Sequence, residues 1–180
     1  HIGSQITELQ PFEDSIKKLL MLIDYLESIG ISIEHIDIGG GIGIKYSDEV
    51  PPTFFDYANT VKNTLKGRNL KIIFEPGRAL IGKAGILLTE VEYIKNSSEK
   101  NFIIINAAMN DLMRPSLYGA FHKIINLSPT DSDKKYYDIV GPVCETGDFL
   151  GRDRLLSAEE GNILAVLDTG AYGMSMSSNY

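Results

Sequence analysis

A cysteine followed directly by a glutamate is the pair of residues in this sequence best suited to proton transfer. Cys144 is the single cysteine among 180 residues, and Glu145 follows it in the segment GPVCETGDFLG. Pro142 and Gly147 flank the pair and predict a turn. A thiol with an ordinary pKa of about 8.5 can deliver a proton at neutral pH, but free cysteines are also among the most buried residues. The pair alone leaves both a catalytic and a core role open.

Three more clusters of potentially reactive residues follow short apolar stretches in the first half of the chain. They are HIGS with His1 and Ser4, GGG with Gly39, Gly40 and Gly41, and EPGR with Glu75, Pro76, Gly77 and Arg78. Glycine amides suit an anion such as phosphate, and a guanidinium can bind phosphate or carboxylate through its planar fork. Because ligands bind at the carboxyl ends of parallel strands, we expect the clusters to converge on one pocket. A tight turn and a Glu75–Arg78 ion pair are the structural alternatives.

The second half of the chain offers fewer candidates. Arg114 and Tyr118 are four residues apart in NAAMNDLMRPSLYGAFH and can bind a carboxylate, although a solvated loop is the alternative. Tyr172, in DTGAYGMS, is equally suited to binding a ligand and to packing in a hydrophobic core. His35 and His122 lack reactive neighbours in the sequence and are interpreted as structural or surface residues. No spacing of His, Cys and carboxylates predicts a metal site.

Helices and short strands alternate up to about residue 83. One helix is predicted from Pro11 to about Ile29, since proline favours the first helical position and apolar residues recur at helical spacing. A second is predicted in PPTFFDYANTVKNTLKG, with an apolar face of Phe54, Ala58, Val61 and Leu65. HIGS is interpreted as a strand end, and HIDIGGG and KIIFEPGR as strands. This order implies parallel strands in an open doubly wound sheet or part of a (β/α)8 barrel.

Helical periodicity disappears from about residue 84. Runs rich in β-formers follow, separated by turn residues: GILLTEVEYIKNS, FIIINAA, YYDIVGPV and NILAVLDTG. Long connections are expected at 108–135 and 144–161. The pattern predicts a second, mostly antiparallel β domain, so that the domains cover residues 1–83 and 84–180.

Composition excludes several classes of partner. The net charge is −7 and the 17 basic residues are scattered, which argues against a nucleic acid or an anionic membrane. No apolar run approaches the roughly 20 residues of a spanning helix. A single cysteine excludes an internal disulfide and fits a reducing, cytoplasmic compartment. Because the chain starts on HIGSQ and stops on SMSSNY, we expect it to be a piece of a longer protein.

The motifs HIGSQ, DIGGG, FEPGR, MNDLMRPSLYGAFH, GPVCETGD and GAYGMSMSSNY, in this order, resemble those of the group IV, alanine-racemase-like decarboxylases that use pyridoxal 5'-phosphate. They span nearly the whole chain. The resemblance implies an α/β plus β fold: the C-terminal half of a cofactor-binding, TIM-like (β/α)8 barrel, followed by a mostly antiparallel β-barrel or sandwich. CETGD with RPSLY favours decarboxylation of meso-2,6-diaminopimelate to L-lysine and CO2 over reactions on ornithine or arginine.

The resemblance also implies the role of each candidate residue. His1 stacks on the cofactor ring, Ser4 holds its phosphate, and Glu75 pairs with the pyridine nitrogen. The whole cofactor-binding set is His1, Ser4, Gly39, Gly40, Gly41, Glu75, Pro76, Gly77, Arg78 and Tyr172. The small-molecule amino-acid substrate contacts Arg78, Arg114, Tyr118, Glu145 and Tyr172, and Cys144 is the proton donor. In this family the Cys-Glu loop reaches into the neighbouring subunit, which implies a homodimer with shared active sites.

The sequence departs from the family pattern in two respects. The loop with Asn106 and Ala108 begins NAAMND where Asp-Ala-Gly is more usual, and a modest local effect is expected. The lysine that binds the cofactor covalently is expected upstream of His1, so we expect this chain alone to be inactive and to expose unpaired strand edges. Two alternatives stay open: a related decarboxylase acting on ornithine, arginine, lysine or carboxynorspermidine, and a non-catalytic dimerising pseudo-enzyme.

Overall fold

The computed structural model describes all residues from 1 to 180, which form two compact units. Unit 1 covers His1–Leu80 and unit 2 covers Ile81–Tyr180. The sequence-based boundary lies at residue 83. No helix in the structure has the length and apolar character needed to cross a membrane.

Unit 1 consists of helices and two short parallel strands. The helices are α1 (Gln10–Ser28), α2 (Phe54–Thr64) and the short α3 (Gly77–Ile81), and the strands are β1 (His35–Asp37) and β2 (Lys71–Ile73). The two strands pair in parallel, with His35 opposite Lys71. Parallel strands need a long crossover between them, and α2 lies within that connection. The predicted parallel β/α arrangement of the first half is therefore confirmed.

The core of unit 1 lies between the two long helices and the strands. Phe12 of α1 packs edge-to-face on Tyr57 of α2, with the ring centroids 4.8 Å apart. The predicted apolar face of α2 is wrong at Phe54, which is 53% exposed, and at Ala58, which is also exposed, whereas Val61 and Leu65 are buried as predicted and Tyr57 is buried too. Phe54 is the first residue of α2, so it projects from the end of the helix, and Tyr57, three residues on, takes the position against α1.

The interpretation of HIGS as the end of a regular strand is wrong. Residues 1–4 have no strand geometry, and only Ile6 makes an isolated parallel bridge, opposite Ile42. Its amide donates to the carbonyl of Gly41, and the amide of Gly43 donates to the Ile6 carbonyl, both at 2.9 Å. A single bridge does not make a strand, but it ties the start of the chain to the glycine segment.

Unit 2 is a six-stranded mixed sheet. The strands are β3 (Leu87–Lys95), β4 (Asn101–Ile105), β5 (Ile124–Asn126), β6 (Lys135–Val140), β7 (Phe149–Leu156) and β8 (Ile163–Val166). Their order is β5-β8-β3-β4-β6-β7, and every neighbouring pair is antiparallel except β4 with β6. The edge strands β5 and β7 approach each other, since a Cβ on Gly151 would lie 3.0 Å from Ile124. The sheet thus curls into a nearly closed barrel, which confirms the predicted β domain.

The predicted connections of unit 2 contain elements that the sequence reading missed. β5 and a short helix, α4 (Arg114–Tyr118), lie within 108–135, and β7 lies within 144–161. β7 carries Arg152 and Arg154, which obscure its β pattern. Each guanidinium stacks on an aromatic ring, 3.8 Å from the Phe149 centroid and 3.9 Å from the Phe121 centroid respectively. Cation–π contacts of this kind are favourable, so both arginines add stabilising contacts around the strand.

Candidate functional site

The side chain of Arg78 holds two hydroxyl groups together in unit 1. Arg78 is buried on α3, and its Nε and Nη2 donate to Ser4 Oγ at 3.2 and 3.1 Å. Its Nη1 donates to the hydroxyl oxygen of Tyr46 at 2.6 Å. Because a guanidinium only donates, both hydroxyl oxygens accept here. One cation and two hydroxyls at one point form a donor set suited to an anion such as phosphate.

The other predicted residues of unit 1 meet at the glycine segment. The Glu75 amide donates to the carbonyl of Gly39 at 2.9 Å. A Cβ on Gly40 would overlap the Glu75 carbonyl oxygen, and one on Gly39 would lie 3.0 Å from the Cα of His1. Only glycine permits so close an approach of three backbones. The structure therefore brings the HIGS, GGG and EPGR clusters together.

Two of the predicted backbone donors already have acceptors within the unit. The amide of Gly39 donates to Asp37 Oδ1 at 2.8 Å, and the amide of Gly77 donates to the Glu75 carbonyl at 2.8 Å. Their role in binding a ligand stays a prediction, as does that of Gly40, Gly41 and Pro76. The side chains of His1 and Glu75 are exposed.

In unit 2, Arg114 is buried at the start of α4 and contacts a histidine. Its Nη1 lies 2.9 Å from Nε2 of His122, which has no exposed surface. The other ring nitrogen, Nδ1, lies 2.9 Å from the Leu167 carbonyl oxygen. Burial, reinforced by the nearby Arg114 charge and opposed by the Leu167 hydrogen bond, lowers the pKa of His122 to about 4. The imidazole is therefore neutral at pH 7, and its burial excludes the surface position that the sequence left open.

The Cys144–Glu145 pair lies on an exposed turn that a buried carboxylate holds in place. Cys144 and Glu145 are both exposed, which removes the core alternative for the thiol. Asp148 is buried, and its two oxygens accept the amides of Met109 and Val143, each at 2.7 Å. A carboxylate bound by backbone amides anchors both segments to each other.

A second contact ties this turn to α4. The Ser116 hydroxyl donates to the carbonyl of Gly147, and the Gly147 amide donates to Glu145 Oε1 at 3.2 Å. The turn that carries the thiol and the helix that carries Arg114 are thus joined directly within unit 2.

The two predicted tyrosines differ in their backbone. Tyr118, at the end of α4, is 65% exposed. Tyr172 is 39% exposed and has a φ of 67°, in the left-handed region. A bulky residue there is strained by about 1–2 kcal/mol. Strain of this kind is common at ligand sites, and the binding role of Tyr172 stays a prediction.

Sequence reasoning missed three residues of these clusters: Tyr46, His122 and Asp148. Tyr46 follows the glycine segment, and a lone tyrosine in GIKYSDE carries no sequence signal for a buried hydroxyl. His122 follows Arg114 by eight residues, beyond helical reach. Asp148 ends the CETGD motif, where its proximity to Cys144 was the available signal. The structure contains no group of His, Cys and carboxylates that could hold a metal ion.

Comparison with known proteins shows the family of this chain. Residues 20–170 match the model of the C-terminal sheet domain of pyridoxal-dependent decarboxylases. Curated diaminopimelate decarboxylases of Vibrio cholerae and Pseudomonas aeruginosa are 55% and 52% identical over 100% of this chain, which spans 43% of each relative. The crystal structure of diaminopimelate decarboxylase from Helicobacter pylori complexed with L-lysine covers 100% of this chain at 41% identity and a TM-score of 0.94, and 45% of that chain is matched. On the family-model match and these alignments, the chain belongs to the pyridoxal-dependent decarboxylases.

Proposed function

We propose that this chain forms part of an enzyme that decarboxylates meso-2,6-diaminopimelate to L-lysine and CO2. The observation that carries this function is that about half of all positions are identical, over the whole chain, to proteins named diaminopimelate decarboxylase. The chain spans less than half the length of those relatives, so the activity, substrate and partners described below belong to the full-length form of the protein.

The residues of unit 1 fit pyridoxal 5'-phosphate as cofactor. Arg78, Ser4 and Tyr46 supply one cation and two hydroxyls for the phosphate. The exposed Glu75 carboxylate is available to pair with the pyridine nitrogen, and the exposed His1 to stack on the ring. When bound, pyridoxal phosphate supplies the electron sink that takes up the electrons left at Cα after CO2 departs. The lysine that binds this cofactor covalently is expected upstream of His1.

The residues of unit 2 suit the substrate. Arg114 and Tyr118 bind the carboxylate distal to the reacting carbon, and Glu145 binds the distal ammonium by charge pairing. Tyr172, together with Arg78 of unit 1, contributes further contacts. These assignments are supported by the buried guanidinium of Arg114 and by the turn that joins Glu145 to α4.

Cys144 is the proposed proton donor. Its S–H bond breaks as a proton moves to Cα, and the resulting thiolate takes a proton back from solvent, to which the residue is exposed. A positioned acid suits this step because the reacting carbon gains a proton in place of the CO2 that it has lost. The function further implies a homodimer with shared sites, in which the Cys144 turn serves a neighbouring subunit, and a cytoplasmic location.

Turnover on a panel of amino acids tests the proposed substrate. The full-length protein should release CO2 from meso-2,6-diaminopimelate and give little release from ornithine, arginine, lysine or carboxynorspermidine. Activity confined to one of these other compounds would replace the proposed substrate with that compound. No turnover on any of them, together with cofactor binding, would favour the pseudo-enzyme alternative.

Replacement of the thiol tests the proton donor. Cys144→Ala should lower kcat by roughly 10²–10⁴-fold, the usual contribution of a positioned general acid. Cofactor absorbance should stay unchanged, because the assigned cofactor residues lie elsewhere. Ser157→Ala, a small change outside both clusters, is the control. Unchanged turnover in Cys144→Ala would remove the thiol from the reaction.

A further inference from the structure

A chain of hydrogen bonds in unit 2 leads from the sheet to the buried guanidinium of Arg114. The Leu167 amide, just after β8, donates to the carbonyl of Lys123, just before β5, at 2.8 Å. The Leu167 carbonyl in turn contacts Nδ1 of His122, and Nε2 of His122 contacts Arg114 Nη1, both at 2.9 Å. His122 therefore bridges α4 and the strand ladder.

The direction of each hydrogen bond in this chain is fixed by its end groups. Arg114 has only N–H donors, so Nε2 of His122 must accept, while the Leu167 carbonyl can only accept, so Nδ1 must carry the proton. This is a single tautomer of neutral imidazole. A second proton on Nε2 would face the guanidinium and leave both N–H groups directed at each other.

The charges around His122 agree with a neutral ring. The groups that influence it are Arg114 and Arg154, which disfavour a positive imidazole, and Asp168, which favours one. The ring has no exposed surface, so it has little solvent to stabilise a charge. Burial has the largest influence of these causes.

We propose that His122 is a positioning residue, which orients the Arg114 guanidinium toward the distal carboxylate of the substrate. This role rests on the proposed function of Arg114. A guanidinium binds a carboxylate through a planar fork, so its plane must be set for two parallel hydrogen bonds. Neutral His122 sets it by accepting from Nη1 while its other nitrogen is held by the backbone. The ring itself does not contact the substrate.

Two amide variants separate this role from simple packing. In His122→Gln, the side-chain oxygen takes the place of Nε2 and can accept from Arg114. In His122→Asn, the shorter amide can donate to the Leu167 carbonyl but does not reach Arg114. Both variants keep a polar, uncharged side chain, so their melting temperatures serve as the measure of packing. Arg114→Gln is the reference variant for the proposed function.

The probes are L-lysine and cadaverine, which differ only by one carboxylate. L-Lysine, the proposed product, keeps the distal carboxylate because the reaction removes the other one. Binding of both compounds to the full-length holoenzyme is measured by calorimetry. For His122→Asn we expect about 10-fold weaker binding of L-lysine, the effect of losing one hydrogen bond to a charged group, and unchanged binding of cadaverine. His122→Gln should bind L-lysine within about 3-fold of the natural protein.

The outcomes separate the two assignments. Selective loss of L-lysine binding in both Arg114→Gln and His122→Asn, with recovery in His122→Gln, supports the positioning role. In a second outcome, Arg114→Gln shows the selective loss while His122→Asn weakens the binding of both probes equally, or of neither probe. That result overturns the role of His122 and leaves the proposed function in place. If Arg114→Gln does not discriminate between the probes, the assignment of Arg114 fails, and that of His122 with it.

Discussion

At the residue scale, Tyr46 is the partner of Arg78 that sequence reasoning did not identify. Its hydroxyl oxygen accepts from Arg78 Nη1 at 2.6 Å, and Ser4 occupies the other side of the guanidinium. Tyr46→Phe removes one hydroxyl and leaves the ring. We expect the Kd for pyridoxal phosphate to rise by about 5–10-fold, the effect of one lost hydrogen bond to a charged group. Fluorescence titration of the cofactor-free protein measures this change.

Tyr25→Phe is the matched control for this measurement. Tyr25 lies on α1 and is 61% exposed, so removal of its hydroxyl should leave cofactor affinity unchanged. Equal Kd values in Tyr46→Phe and the natural protein would show that the Tyr46 hydroxyl does not contribute to cofactor binding.

At the scale of elements, Asp148 joins the Cys144 turn to the segment that precedes α4. Its two oxygens accept the amides of Met109 and Val143 at 2.7 Å each. Asp148→Asn places an NH2 group against one of these amides, so one hydrogen bond is lost. We expect unfolding to require about 2 kcal/mol less free energy and amide hydrogen exchange to accelerate in residues 141–148. kcat should fall as well, because the thiol is less precisely placed.

Asp131→Asn makes the same chemical change at an exposed position and controls for the loss of one negative charge. The anchoring role of Asp148 would be contradicted if both variants exchanged their 141–148 amides at the same rate. If Asp148→Asn lowered the free energy of unfolding without accelerating amide exchange in residues 141–148, Asp148 would stabilise the sheet and not the turn.

At the scale of the whole molecule, His122 makes stability depend on pH. The pKa of His122 is lowered by burial to about 4 in the folded protein, against an ordinary value of about 6.5 when unfolded. Between these values the unfolded chain binds the proton and the folded one does not, so stability falls as the pH is lowered. We expect its full contribution above pH of about 6.5 and a loss on the order of 3 kcal/mol by pH of about 4.

Urea unfolding at a series of pH values, compared with His122→Gln, measures this contribution. The variant cannot take up a proton at this position, while the other titrating groups, including the neighbouring Asp168, are shared. The difference in unfolding free energy between the two proteins should therefore shrink from pH 7 to pH 4. A difference independent of pH would contradict a neutral, buried His122.

The sequence by itself determined the class of each half, and it supplied the candidates for the chemistry. HIGS, GGG and EPGR follow short apolar stretches, and glycine and proline punctuate the chain strongly, so local patterns were sufficient for the parallel β/α part and the β domain. Local pattern failed for Phe54, whose place at the first position of α2 exposes it. It failed also for β7, where arginines stacked on aromatic rings occupy a strand.

Only the tertiary structure decided the partners of the charged groups. Arg78 meets Ser4 and Tyr46 across 74 and 32 residues of sequence, and His122 meets Leu167 across 45. Separations of this size are set by how strands and loops pack, which local residue preferences do not encode. The exposed turn of Cys144 depends on both the local sequence and the tertiary structure. Pro142 and Gly147 predicted the turn, but its anchorage by the buried carboxylate of Asp148 depends on a segment 39 residues away.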